Sequence, residues 1–393
     1  MALQTPLHGA EGKRLVFIDA LRVAAIIFVI IHHAAQAYGP TGGFWPVHDR
    51  AQSDWFAPFY TANAAFGMGL MFLIAGYFAP PSYDRKGARL FLMGRWLRIG
   101  IPLASLVLLL NLPVAYFLAG MPAPREFLEG LYARGWQPIY LHLWFVAHLL
   151  LYCFVYAVLR QIFDFFEVGP RKAPLPSPAA IVFFIVALAL ITWLVRIWYP
   201  IDKWAPFLWI MPAEPAHLPQ YLAFFAVGVV AYRGDWFRRM PTAVGLIWLA
   251  VGAIAFGGVY IAYAFGPWSE LMAAGGSGLS SLIRSSWETV IAVGLSVGLI
   301  VAFRELFDRA DSRLLEQMAA ASFGAYILHP AIVVAMQAAM TGVWLVAFAK
   351  FVIVSLLATV ASFGIAHVAG RARGVRAVLG QTSGGEMLLS RVR

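Results

Sequence analysis

Apolar runs recur almost from end to end of the 393-residue chain, and no polar block between them is long enough to fold by itself. A transmembrane helix needs about 20 mostly apolar residues. About ten windows qualify, near 15–37, 57–79, 97–119, 139–163, 179–199, 218–232, 242–265, 282–303, 317–341 and 344–369, the sixth being short. Trp, Tyr and Pro crowd several window ends, as at Trp198, Tyr199, Pro200 and Trp204, in keeping with an interfacial aromatic belt. The pattern predicts an all-α, polytopic integral membrane bundle of about ten helices, with one transmembrane domain over 1–370 and a short cytoplasmic tail over 371–393. The Pro- and Trp-rich, weakly charged stretch 200–219 is expected to pack on the outer face. No fixed-period repeat is visible.

Composition sharpens this picture. The chain is 61% hydrophobic and 12% charged, whereas a soluble domain averages about 45–50% apolar and about 25% charged. Such a chain cannot cover its surface in water, so its first partner is the lipid bilayer. A net charge of +10 would suit a nucleic acid, but the basic residues fall in short clusters between apolar runs, which is a topology signal. With the N-terminus in the cytoplasm and the sides alternating, 21 of the 29 lysines and arginines fall on cytoplasmic connections. An even number of spans then puts both termini in the cytoplasm, and no nucleic-acid partner is needed to explain the charge. Cys153 is the only cysteine, which excludes a disulfide framework and a cysteine-based metal site. Lys13, Arg14 and the run Val23 to Ile31, ending at Ala35-Gln36-Ala37, imitate a secretory leader. Asp19, Arg22, His32 and His33 interrupt that pattern, so an uncleaved first span is expected.

Ionisable side chains inside a bilayer are costly and point to function; the informative ones here are Asp19, Arg22, His32, His33, Glu288 and His329. Arg22 and His33 are eleven residues apart, about three helical turns, so they share a face at roughly 16 Å along the axis. Asp19 can pair with Arg22 at i, i+3. A histidine in the outer half of the membrane suits general-base chemistry on a hydroxyl, or it simply hydrogen-bonds within the bundle. Arg95 and Arg98, three apart at a helix start, can face one anionic ligand with planar, bidentate forks, or act only as topology determinants. His142, Trp144 and His148 open the fourth window, where an interfacial belt also explains Trp144. Glu288 could orient an imidazole, bind a sugar hydroxyl or pair with Arg284. Tyr326 and His329 lie on one face just before Pro330, where a kink is expected. The serine-hydrolase elbow, phosphate loop and dinucleotide fingerprint are missing.

Taken together, Asp19-Ala-Leu-Arg22 with His33 eleven residues on, Phe72-Leu-Ile-Ala-Gly76-Tyr77, Arg95-Trp-Leu-Arg98, His142-Leu-Trp-Phe145 and Ser322-Phe-Gly-Ala-Tyr-Ile-Leu-His-Pro330 resemble the membrane acyltransferase family 3. Its members include bacterial O-acetyltransferases and a succinyltransferase of periplasmic glucans. The resemblance spans nearly the whole chain and keeps the family's order. It implies O-acyl transfer from cytoplasmic acyl-CoA, acetyl-CoA or succinyl-CoA, to a hydroxyl of an extracytoplasmic glycan or similar acceptor, in a bacterial inner membrane. It matches His33 to the family's essential histidine, Arg22 to its partner arginine, and Arg95 with Arg98 to the pair near the acyl donor. Asp19 would hold Arg22, while His142, Trp144, Glu288, Tyr326 and His329 would line the acceptor side. No metal is expected. Some relatives carry a soluble hydrolase-like domain that completes transfer, so a separate periplasmic partner is one expectation here. The rival reading is a transporter or flippase using the same charges as a relay, with a non-catalytic scaffold third.

Overall fold

The computed structural model describes residues 14–41, 45–163, 173–266, 271–309 and 312–372. Long helices dominate: α1 (Val16–Ala35), α2 (Phe56–Arg95), α3 (Pro124–Ala133), α4 (Trp144–Ile162), α5 (Pro178–Arg196), α6 (Leu218–Gly234), α7 (Thr242–Phe265), α8 (Leu279–Phe307), α9 (Arg313–Met340) and α10 (Ala347–Ala369). Among the described residues, eight helices are long and apolar enough to cross a membrane. All ten sequence windows fall mainly on helix; the sixth corresponds to α6, 17 residues long. The tail beyond Ala372 and the leader-like residues up to Lys13 lie outside the described residues.

Local chemistry marks several ends. Ser177 Oγ accepts the Ala180 N–H at 3.1 Å with Pro178 opening α5, and Ser312 Oγ accepts the Leu315 N–H at 3.3 Å to start α9. The connection expected between the second and third windows is instead helical, and one helical run extends from Phe56 to Leu118. It doubles back at Gly87, whose φ of 70° lies in the left-handed region that favours glycine. The neighbours show the reversal. Asp84 meets Arg160, Phe91 meets Tyr156, and Asn111 reaches Ile139, so the chain descends along α4 and climbs back beside it.

Contacts define two ends of the bundle. Arg14 with Glu316, Arg160 and Arg233 with Asp84, and Arg304 with the carbonyls of Arg238 and Met240 gather at one end. The His33 end holds Lys350 against Asp49 and a two-stranded hairpin, β1 (Ala205–Phe207) with β2 (Met211–Ala213). The hairpin sits in the stretch expected to pack on the outer face. Trp136 and Tyr140 donate to the carbonyls of Trp209 and Ile210, and His148 meets that of Pro212. Between the ends, α2 and α6 touch backbone to backbone, because a Cβ on Gly228 would lie 2.2 Å from Leu73 O and one on Gly76 2.1 Å from Phe225 O.

Candidate functional site

α1 carries the central residue. His33 Nδ1 lies 2.9 Å from the Val29 carbonyl one turn back and 3.3 Å from His329 Nε2 on α9. A carbonyl only accepts, so Nδ1 of His33 bears the hydrogen and shares it with His329. His329 is fully buried, with its own Nδ1 2.6 Å from the Tyr326 carbonyl. That carbonyl is available for a local reason. In a helix it would take the N–H of residue 330, and Pro330 has none. Pro330 thus frees the acceptor that fixes the His329 tautomer and turns its Nε2 lone pair toward His33. In the neutral His33 ring the remaining lone pair sits on Nε2, the atom a general base needs.

The imidazole pair is ringed by aromatic and histidine side chains. His33 lies 4.9 Å from His329, 5.3 Å from Trp45 and 5.4 Å from His32 between ring centroids, and His142 lies 5.3 Å from His329. The Tyr326 hydroxyl donates to the His142 carbonyl, while both ring nitrogens of His142 are buried without a hydrogen-bond partner. Three of the residues expected on the acceptor side, His142, Tyr326 and His329, therefore gather at His33. Trp144 stands further along, stacked on Tyr221 at 5.3 Å, with Phe145 bridging to Tyr326 at 6.0 Å. Among the described residues no group of three or more His, Cys, Asp or Glu side chains could hold a metal ion.

Glu288 is separate. Arg196, 1% exposed, donates to one carboxylate oxygen and to Ser285 Oγ at 3.2 Å, and Arg284 Nε donates to the other oxygen at 3.0 Å. Both oxygens are therefore engaged, and the Arg284 pairing weighed from sequence is present. A cavity of about 320 Å³ lies nearer the hairpin, lined in part by Glu126, Phe127 and Arg134.

The other half of the expected site lies toward the Asp84 end. Arg22 Nη1 is 3.6 Å from Asp19, but the nearer partner of Asp19 is Arg14 at 2.8 Å, which also binds Glu316 of α9. Asp19 thus links α1 to α9 as well as meeting Arg22. Arg95 lies within electrostatic reach of Arg22 and of Cys153, its guanidinium rests 5.0 Å over Phe91, and its Nε is buried without a partner. Lys86 lies within reach of Arg85, Arg95 and Arg98, gathered by the reversal at Gly87. The result is a cluster of cations on one side and a histidine pair on the other, joined by α1.

Sequence reasoning singled out both halves but missed Trp45, Gln337 and Lys86. Gln337 could have been noticed as an amide inside an apolar window, Lys86 as the neighbour of a glycine that breaks a helix.

A family model described as an acyltransferase domain, of the acyltransferase family 3, matches residues 15–367. Similar curated proteins include the glucans biosynthesis protein C of Salmonella typhimurium and of Salmonella typhi, each 29% identical over 242 residues, covering 58% of this chain and 60% of the relative. That of Salmonella dublin is 28% identical over 244 residues. The aligned part thus spans 60% of the length of these relatives. No solved structure matches the chain.

Proposed function

The chain belongs to the acyltransferase family 3, and from that premise we propose that this membrane acyltransferase moves an acetyl or succinyl group from cytoplasmic acyl-CoA to a hydroxyl of an extracytoplasmic glycan. The observation that carries the reading is the division of α1: a histidine pair at one end and, about 16 Å away along the helix axis, a cluster of cations. Coenzyme A carries several phosphate charges, which Arg22, Arg95, Arg98 and Lys86 can neutralise, and its thioester arm is thin enough to thread between helices. The relatives' name points to glucans as the acceptor class, and the bacterial inner membrane is the compartment in which such a reaction has a cytoplasmic donor and an outer acceptor.

The chemistry follows from the tautomers. Nε2 of His33 takes the proton of the acceptor hydroxyl as its oxygen bonds to the thioester carbon. The imidazolium charge is shared through Nδ1–H with His329. His142 offers a ring N–H to the oxyanion that develops on the carbonyl. Collapse breaks the C–S bond, and the proton passes from His33 to the leaving sulfur. Tyr326 holds the His142 backbone, Asp19 and Arg14 anchor the start of α1, and Trp144 and Tyr221 supply aromatic faces toward the acceptor side. Group transfer is favoured over transport because the family match covers nearly the whole chain.

The test is mass spectrometry of surface and periplasmic glycans from cells carrying the intact gene, a deletion, or the His33→Ala protein at matched membrane abundance. An acyl mass increment should vanish in both defective strains, and its size identifies the group. Unchanged glycans with a solute or lipid accumulating on one side of the membrane would instead make the protein a transporter.

A further inference from the structure

The geometry points to Gln337 as a positioning residue for the transfer reaction, one that holds the end of the His33 helix and the Trp45 indole in a single arrangement around the imidazole. The inference rests on the reading of His33 as the base. α1 ends two residues beyond His33 and passes into a short 3-10 turn, where the Gln36 N–H donates to the His33 carbonyl and the last carbonyls otherwise look to partners outside the helix. Side chains and loops from elsewhere fill them. The carbonyls of His33 and Ala34 each accept from Gln337 Nε2 at 3.0 Å, and the Ala35 carbonyl accepts the Tyr60 hydroxyl at 2.7 Å. Gln337 Oε1 in turn accepts the Trp45 indole N–H at 2.6 Å.

The amide orientation is unambiguous, because the two carbonyls only accept and the indole only donates. Gln337 is fully buried and Trp45 is 7% exposed, so losing these bonds would leave several polar groups stranded. Farther along the same segment, Asp49 binds Lys350 through both oxygens at 2.8 Å and donates its own N–H to the Ala37 carbonyl at 3.0 Å. That anchors the segment, and Gln337 is the residue that ties it by hydrogen bonds to the His33 backbone among the described residues. Gln337 lies eight residues after His329 on α9. One helix therefore sets the partner of the His33 ring and the position of its backbone together.

The experiment reconstitutes the full chain in proteoliposomes and follows transfer from radiolabelled acetyl-CoA and succinyl-CoA to a glucan oligosaccharide, comparing wild type, His33→Ala, Gln337→Met, Gln337→Glu, Trp45→Phe and Trp45→Phe/Gln337→Met. Methionine matches the size of glutamine without its hydrogen bonds, and a displacement near 1 Å at a reacting group can cost about a hundredfold. Gln337→Met should therefore lower kcat about tenfold to a hundredfold with both KM values within about threefold. The double variant should be no worse than Gln337→Met alone, since Trp45 acts through the same amide. A Gln337→Met kcat within about threefold of wild type, or a loss expressed only in KM, overturns the inference. If Gln337→Met does not accumulate, Gln337→Glu decides: as a carboxylate it keeps the acceptor for Trp45 and loses both donors, so the same fall in kcat supports the role and wild-type turnover refutes it. An active His33→Ala protein would instead sink the base assignment.

Discussion

Pro330 does at the scale of one residue what a carboxylate does in other catalytic histidine arrangements: it decides which way an imidazole faces. Restoring the backbone N–H with Pro330→Ala gives the Tyr326 carbonyl a second donor and weakens its hold on His329 Nδ1. A hydrogen bond contributes about 1 kcal/mol net, so kcat should fall about fivefold. The same variant removes an interior proline and should raise the thermal midpoint. Loss of turnover with gained stability would mark a functional residue; turnover unchanged would mean that His329 is held by packing alone. At this scale the sequence revealed the ionisable residues, because a charge in an apolar window is conspicuous. It concealed Gln337, which is uncharged, and Trp45, which lies outside every apolar window. Asp19 was expected to belong to Arg22 at i, i+3, yet Arg14, five residues before it, approaches more closely, since a long side chain at the helix entrance can fold back.

Among elements, the contact of α2 with α6 is the tightest joint near the site. Phe72, Gly76 and Tyr77 lie on it: Phe72 packs 4.7 Å from Phe145 and 5.1 Å from Tyr221, and the Tyr77 hydroxyl donates to Asp235 at 3.0 Å. Apolar helices in lipid gain no hydrophobic drive from each other, so close approach through small residues carries the association. Gly228→Val should cost about 1–3 kcal/mol by overpacking, read as a lower unfolding midpoint in detergent, whereas valine at Gly258, where nothing lies within 4 Å of an added Cβ, should change little. The windows themselves were readable because apolar length is a strong signal. The reversal at Gly87 was not, since Pro80 and Pro81, which would be expected to mark a break, lie inside the helix and the chain turns at a single glycine beyond them. The β1–β2 hairpin was hidden too, its strands being three residues each.

Over the whole molecule, donor and acceptor recognition are assigned to opposite ends, so they should fail independently. Arg95→Gln removes a cation whose Nε has no protein partner. A charge-assisted hydrogen bond contributes about 1.5–3 kcal/mol, so the KM for the acyl-CoA donor should rise about tenfold to a hundredfold while the KM for the glucan stays constant. Initial-rate measurements with each substrate varied in turn check this; a change confined to the glucan KM would reverse the proposed polarity.

On the proposed reading, the separation of the cation cluster from the histidine pair also makes the reaction vectorial, with electrical consequences. An acetyl group travelling from one end of α1 to the other carries no charge, whereas a succinyl group carries a carboxylate outward through the field. A full crossing changes the energy by about 2.3 kcal/mol per elementary charge per 100 mV, and an interior-negative potential drives an anion outward. In proteoliposomes clamped by a potassium gradient and valinomycin, succinyl transfer should quicken with interior-negative voltage and acetyl transfer should not. Which electrical response the enzyme shows would report its cargo without isolation of any product.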